Sequence, residues 1–129
     1  MSKTYLFVYG TLRKDFPLAL KEVVAQDLLY IGTGKVNATL YDLGDYPGAV
    51  KGDRELVGDV FEVRSEAVFP VLDAYEGEEY KRAKEAVKLS SGEILDAWMY
   101  WYTRTTTDEM RIQNDDYLHY LKNKKDRFV

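Results

Sequence analysis

Apolar and polar positions follow a period near two along most of the chain, and a helical period in only three places. Residues Thr4–Tyr9 (TYLFVY) are β-branched and aromatic, and read as a buried strand that Gly10 ends. Asp15 is placed to cap a helix that Phe16 and Pro17 open. Its apolar face is Leu20, Val23, Val24 and Leu28. Strand-like runs follow over Leu28–Thr33, Lys35–Leu43 and Leu56–Arg64, with a turn-rich stretch at Gly44–Gly48. Ser65 can cap a short helix over Glu66–Glu76, although Val68 stands where a capping box would need Glu. Val68, Leu72 and Tyr75 line one face of that helix, and Gly77 is suited to end it in a left-handed conformation. Tyr80–Leu89 and Ile94–Thr103 read as two strands joined by a hairpin at Ser90–Glu93. Asn114 caps a last helix with Asp115 and Asp116 in its first turn and Lys122, Lys124 and Lys125 in its last, an order that suits the helix dipole. Strands dominate without a regular β-α-β repeat. The expected fold class is α+β: a small mixed, mainly antiparallel β-barrel with flanking helices.

Size and composition narrow the function. At 129 residues the chain is expected to be a single domain over 1–129, with a helical tail at about 105–129. The absence of cysteine excludes disulfides, thiolate metal sites and a Cys nucleophile. A net charge of −4 argues against a nucleic-acid partner, because such proteins carry a basic footprint. No apolar run approaches the roughly 18 residues that cross a bilayer, and no secretory signal is legible near Met1. A cytoplasmic protein with no membrane partner is expected; oligomeric state is not legible.

Two segments carry candidate chemistry. In Tyr9-Gly10-Thr11-Leu12-Arg13, a glycine directly after a buried strand allows a sharp turn, and successive N–H groups in such a turn can bind an anion. A purely structural turn fits the same residues. The second segment is Leu72–Glu79 (LDAYEGEE), which holds Asp73, Glu76, Glu78 and Glu79. A solvated acidic helix end is the bland reading. However, Glu76 sits at the C-terminal end of its helix, where the dipole disfavours an anion, and nearby carboxylates disfavour it further. Both push its pKa upward, and burial against Tyr75 and other rings would have to supply the rest of a shift into the range in which a carboxylate works as a general base near neutral pH.

Other candidates fail sooner. His119 is the sole histidine and fits a surface or boundary position, so a Ser–His–Asp triad or a His metal site would rest on it alone. No metal site is expected. Gly32-Thr33-Gly34-Lys35 lacks the spacer and helix of a phosphate loop. Trp98–Tyr102 (WMYWY) suggests base stacking, but without a basic surface a strand packed on both faces fits better.

Together these residues resemble the γ-glutamylcyclotransferase-like family, in its γ-glutamylamine cyclotransferase and AIG2-like branches. The matching pieces are Phe7–Arg13 (FVYGTLR), Tyr41–Gly48 (YDLGDYPG), Val57–Val63 (VGDVFEV), Leu72–Gly77 (LDAYEG), Tyr80–Arg82 (YKR) and Ala97–Tyr102 (AWMYWY), in family order. The resemblance implies a small mixed barrel with flanking helices. It implies a reaction on a small-molecule γ-glutamyl substrate, whose own α-amine attacks the γ-carbonyl to give 5-oxoproline and a free amine, without a cofactor. It implies Glu76 as general acid/base, Tyr9, Gly10, Thr11 and Leu12 around the substrate's α-amino-acid end, and Tyr100 as a pocket tyrosine. Two alternatives stay open: a non-enzymatic binder of a small carboxylate or amino acid, and another γ-glutamyl acyl-processing enzyme in a biosynthetic pathway.

Overall fold

In the computed structural model, which describes residues 3–9, 26–44, 47–112, 116, 117, 119 and 120, five strands close into a barrel. They are β1 (Thr4–Val8), β2 (Leu28–Asp42), β3 (Pro47–Val63), β4 (Tyr80–Leu89) and β5 (Ile94–Tyr102), in the order β1-β3-β2-β4-β5. All neighbours are antiparallel except β5 and β1, which close the barrel in parallel through Leu6 opposite Trp98. Period-two alternation sorts the side chains. Phe7 of β1 and Ala97, Met99 and Trp101 of β5 join residues from all five strands in one core cluster, the barrel interior. Leu6, Val8 and Tyr100 point the other way, into a second cluster beneath the helix α1 (Val68–Glu76), whose Val68, Phe69 and Leu72 are buried.

The long strands depart from the sequence expectation. One strand, β2, replaces the two runs split at Gly34. Its register shifts between Tyr30 and Gly32, a bulge that Gly32 accommodates at φ 150°. Pro47 and Gly48, read as part of a turn, instead begin β3 opposite Asp42 and Tyr41. The polar stretch after them also extends as strand, although the register jumps from Ala38–Lys51 to Asn37–Glu55. Pairing to β2 overrides the weak strand propensity of these residues.

Helix α1 starts two residues later than expected. Its N-cap position is Ala67 rather than Ser65, and the Ser65 hydroxyl accepts the Ala67 N–H at 3.3 Å instead. Gly77 has the expected positive φ, 87°, but its ψ of −176° is extended and not left-handed helical. The Gly77 N–H donates to the Asp73 carbonyl at 3.0 Å and closes the last turn.

The helix expected after Asp15 lies outside the described residues as far as residue 25, and Leu28, placed on its apolar face, instead begins β2. Asn114, Asp115 and the lysines of the tail helix also lie outside the described residues. The described part of the tail contains a short 3-10 helix (Asp108–Met110) and helical positions at Tyr117, His119 and Tyr120. It packs on the β2–β3 arm: the Ile112 N–H donates to the Leu40 carbonyl at 2.8 Å, and the Tyr120 hydroxyl to Asp42 at 2.7 Å. Among the described residues no helix is long and apolar enough to cross a membrane.

Gly58 shows how tightly β1 and β3 meet. A Cβ there would press on the Val8 carbonyl oxygen and come within 2.5 Å of Phe7 Cζ. Backbone cannot swing aside as a side chain can. Gly58→Ala is therefore expected to cost about 1–3 kcal/mol. The check is a lower urea midpoint at unchanged slope; an unshifted midpoint would mean that the two strands have slack.

Candidate active site

Four elements converge at one end of the barrel. Strand β1 delivers Tyr9 just past its last residue, β5 delivers Tyr100, α1 ends on Glu76, and the start of β3 folds across them. Tyr9 ties the group together. Its hydroxyl donates to the Tyr100 carbonyl at 2.7 Å and accepts the Ala49 N–H at 3.1 Å, joining residues 91 and 40 positions away. Nearby, the Tyr80 hydroxyl donates to the Pro47 carbonyl at 2.6 Å, and the Tyr80 ring packs edge-on against Tyr102. Burial, and secondarily the charge of Glu76, push the Tyr9 hydroxyl far above its ordinary pKa. It stays protonated and acts as a strut.

Glu76 is partly buried, and desolvation raises its carboxyl from 4.5 to about 7. Of the contributions expected, burial is the one that raises it, and not the helix end or the acidic neighbours; the Tyr75 ring, expected to bury it, is itself exposed. Glu78 is exposed, and the charge of Asp73 is offset by Arg82. The Glu76 charge is felt by both Tyr9 and Tyr100, which places the three in one neighbourhood.

Asp73, one turn before Glu76, anchors the helix end to the barrel. Arg82 Nε and one terminal N–H group donate to its two carboxylate oxygens at 3.0 and 3.3 Å, a bidentate pair. The Tyr100 hydroxyl donates to Asp73 Oδ1 at 2.6 Å. Both donors arrive together because Arg82 and Tyr100 are direct partners across β4 and β5. The Arg82 guanidinium also lies over Phe69, at 4.1 Å, and over Trp98, at 4.8 Å. Partial burial pushes the Asp73 carboxyl upward. The hydrogen bonds from Arg82 and Tyr100 and the guanidinium charge outweigh it, and the net pKa lies below the ordinary value. Burial and the bond to Asp73 hold the Tyr100 hydroxyl protonated.

Of the residues singled out from the sequence, Tyr9, Glu76 and Tyr100 meet here. Gly10, Thr11 and Leu12 lie outside the described residues, directly after Tyr9 in the chain. His119 is exposed, and Trp98–Tyr102 forms a strand packed on both faces. Among the described residues no group of three metal-binding side chains is assembled. Asp73, Arg82 and Tyr80 are the participants that sequence reasoning missed. A signal existed for each. Asp73 precedes Glu76 by three positions and so shares its helix face, and Tyr80 and Arg82 alternate onto one face of β4.

Comparison with known proteins agrees with this geometry. A family model described as gamma-glutamyl cyclotransferase, AIG2-like, matches residues 6–119. The gamma-glutamylcyclotransferase family protein YtfP of Escherichia coli K12 is 32% identical over 114 residues, 88% of this chain and 95% of YtfP. Among solved structures, YkqA of Bacillus subtilis superposes with a TM-score of 0.75 at 26% identity, over 97% of this chain but 43% of that longer protein. A mouse AIG2-like protein shares the fold at a TM-score of 0.72 and 21% identity, over 91% of this chain and 89% of its own. A barrel closed in this order, with the LDAYEG helix packed on its outer face, thus belongs to the gamma-glutamyl cyclotransferase, AIG2-like family.

Proposed function

We propose that this protein is a γ-glutamyl cyclotransferase that releases 5-oxoproline and a free amine from a γ-glutamyl amide. The observation that carries the reading is Glu76: a partly buried carboxylate with a pKa of about 7, beside Tyr9 and Tyr100. Ionised Glu76 takes a proton from the substrate's α-ammonium. The freed nitrogen attacks the γ-carbonyl, a C–N bond forms within a five-membered ring, and the old amide C–N bond breaks. The proton held on Glu76 passes to the departing nitrogen, which would otherwise leave as a poor amide anion. The ring nitrogen gives up its surplus proton to the freed carboxylate, from which it passes to solvent or to the released amine. Holding one molecule in a ring-closing pose is worth up to about 7–11 kcal/mol of entropic advantage. In this reading the N–H groups of Gly10–Leu12, in the YGTLR segment, receive the α-carboxylate. No cofactor enters the scheme.

A simple binder of small carboxylates has no need of a desolvated base, which favours the catalytic reading over that alternative. The test is incubation with a panel of γ-glutamyl dipeptides and γ-glutamylamines, with 5-oxoproline followed by mass spectrometry. Product that depends on Glu76 supports the reading. Tight binding without turnover across the panel would replace it with the binder.

A further inference from the structure

We propose that Tyr100 presents its phenolic oxygen to the substrate as an acceptor only, for the α-ammonium group, and that Asp73 sets that polarity. The inference rests on the γ-glutamyl reading of the pocket and adds a recognition element to it.

A tyrosine hydroxyl has a single proton to give. In Tyr100 that proton is committed to Asp73 at 2.6 Å, within the range of a charge-assisted O–H···O bond. Asp73 in turn has no freedom to turn away, because Arg82 grips both of its oxygens and is itself stacked on Phe69 and Trp98. What remains on the Tyr100 oxygen is lone-pair density, on the same side of α1 as Glu76. The hydroxyl of Tyr9 offers no comparable contact, since its proton goes to the Tyr100 carbonyl and it already accepts from Ala49. A group that meets Tyr100 and Glu76 together faces two acceptors. A primary ammonium, with three donors, matches that pair, and a hydroxyl or a carboxylate does not. One proton would go to Glu76 as the base, while Tyr100 holds a second and fixes the nitrogen for attack. Asp73 is on this account a positioning residue that acts through Tyr100.

Asp73→Ala removes the acceptor oxygen, Oδ1, that Tyr100 and Arg82 Nε share. The phenol is then free to aim its own proton at the pocket, against the ammonium. Tyr100→Phe removes the acceptor altogether.

The experiment titrates three proteins by NMR: Glu76→Gln, which stops turnover, and the same background with Tyr100→Phe or Asp73→Ala. The probes are L-glutamine and glutaric acid monoamide, which differ only in the α-amino group. The Glu76→Gln protein is expected to prefer L-glutamine by about tenfold or more. Either second substitution should remove most of that preference while leaving the monoamide affinity nearly unchanged. In turnover by the otherwise native protein, the effects of Tyr100→Phe and Asp73→Ala on kcat/KM should be non-additive, the double variant being little worse than Tyr100→Phe alone. A preference that survives Tyr100→Phe, or additive losses, overturns the inference and leaves the cyclotransferase intact. Failure to bind either probe, with no 5-oxoproline from the native protein, overturns both.

Discussion

Replacing Glu76 with Gln is expected to lower kcat/KM at least about a hundredfold and, at the same time, to stabilise the fold above neutral pH. The two effects share one cause. The carboxyl titrates near 4.5 in the unfolded chain and at about 7 in the folded protein, because folding strips water from it. Below pH 4.5 both states hold the proton and no penalty exists. Between 4.5 and 7 the folded state retains a proton that the unfolded chain releases, so stability falls as pH rises. Above 7 the folded protein carries a desolvated charge at a cost of about 3 kcal/mol. Glutamine stays neutral throughout. Its advantage in melting temperature should therefore be near zero at pH 4, grow through pH 5–7, and level off beyond. The native enzyme's log kcat/KM should rise with unit slope up to a pH of about 7 and then flatten, as the base ionises. A pH-independent stability difference would show that Glu76 titrates normally. Undiminished turnover by the glutamine variant would remove it from the chemistry.

The second large effect is expected from Leu72→Ala. Leu72 is fully buried (0% exposed) and lies between α1 and the barrel. It directly precedes Asp73, and Glu76 follows one turn later, so the packing of this one side chain sets where both carboxylates stand. Truncation leaves a cavity in a cluster where Leu6, Val8, Leu28, Phe61, Val63 and Tyr100 are held by strands and cannot collapse into it. The expected cost is about 2–5 kcal/mol, or a fall in melting temperature on the order of 10 °C. Calorimetry measures it directly, and a fall of under about 2 °C would mean that α1 is held by its polar anchors rather than by its apolar face. At 25 °C, where the variant remains folded, kcat should drop more than binding, because Glu76 shifts against a substrate held elsewhere.

How far such effects could be read from the chain alone varies from element to element. Strands β1, β4 and β5 and the helix over Val68–Glu76 were legible, because alternation and the i, i+4 spacing of Val68 and Leu72 are local signals. The start of β3 was not. Pro47 and Gly48 carry turn chemistry. They become strand because Ala38–Asp42 lie alongside and satisfy their backbone groups. The position of Glu76 at a helix end was also legible, and it pointed rightly to a raised pKa. How the shift divides was not legible, since charge spacing can be counted in a sequence while the degree of burial cannot, and burial is what supplies it. Asp73 looked like one more destabilising carboxylate until β4 brought Arg82 to it.

The linear pattern therefore determined the element types and the barrel class, and singled out the carboxylate proposed here as the base. Those follow from short-range periodicity and from motifs a few residues long. The closed order of the strands, the Tyr9 strut and the Arg82–Asp73–Tyr100 chain were decided only by the tertiary structure. Each joins positions far apart in sequence, and the free energy that selects them comes from excluding water where distant segments meet.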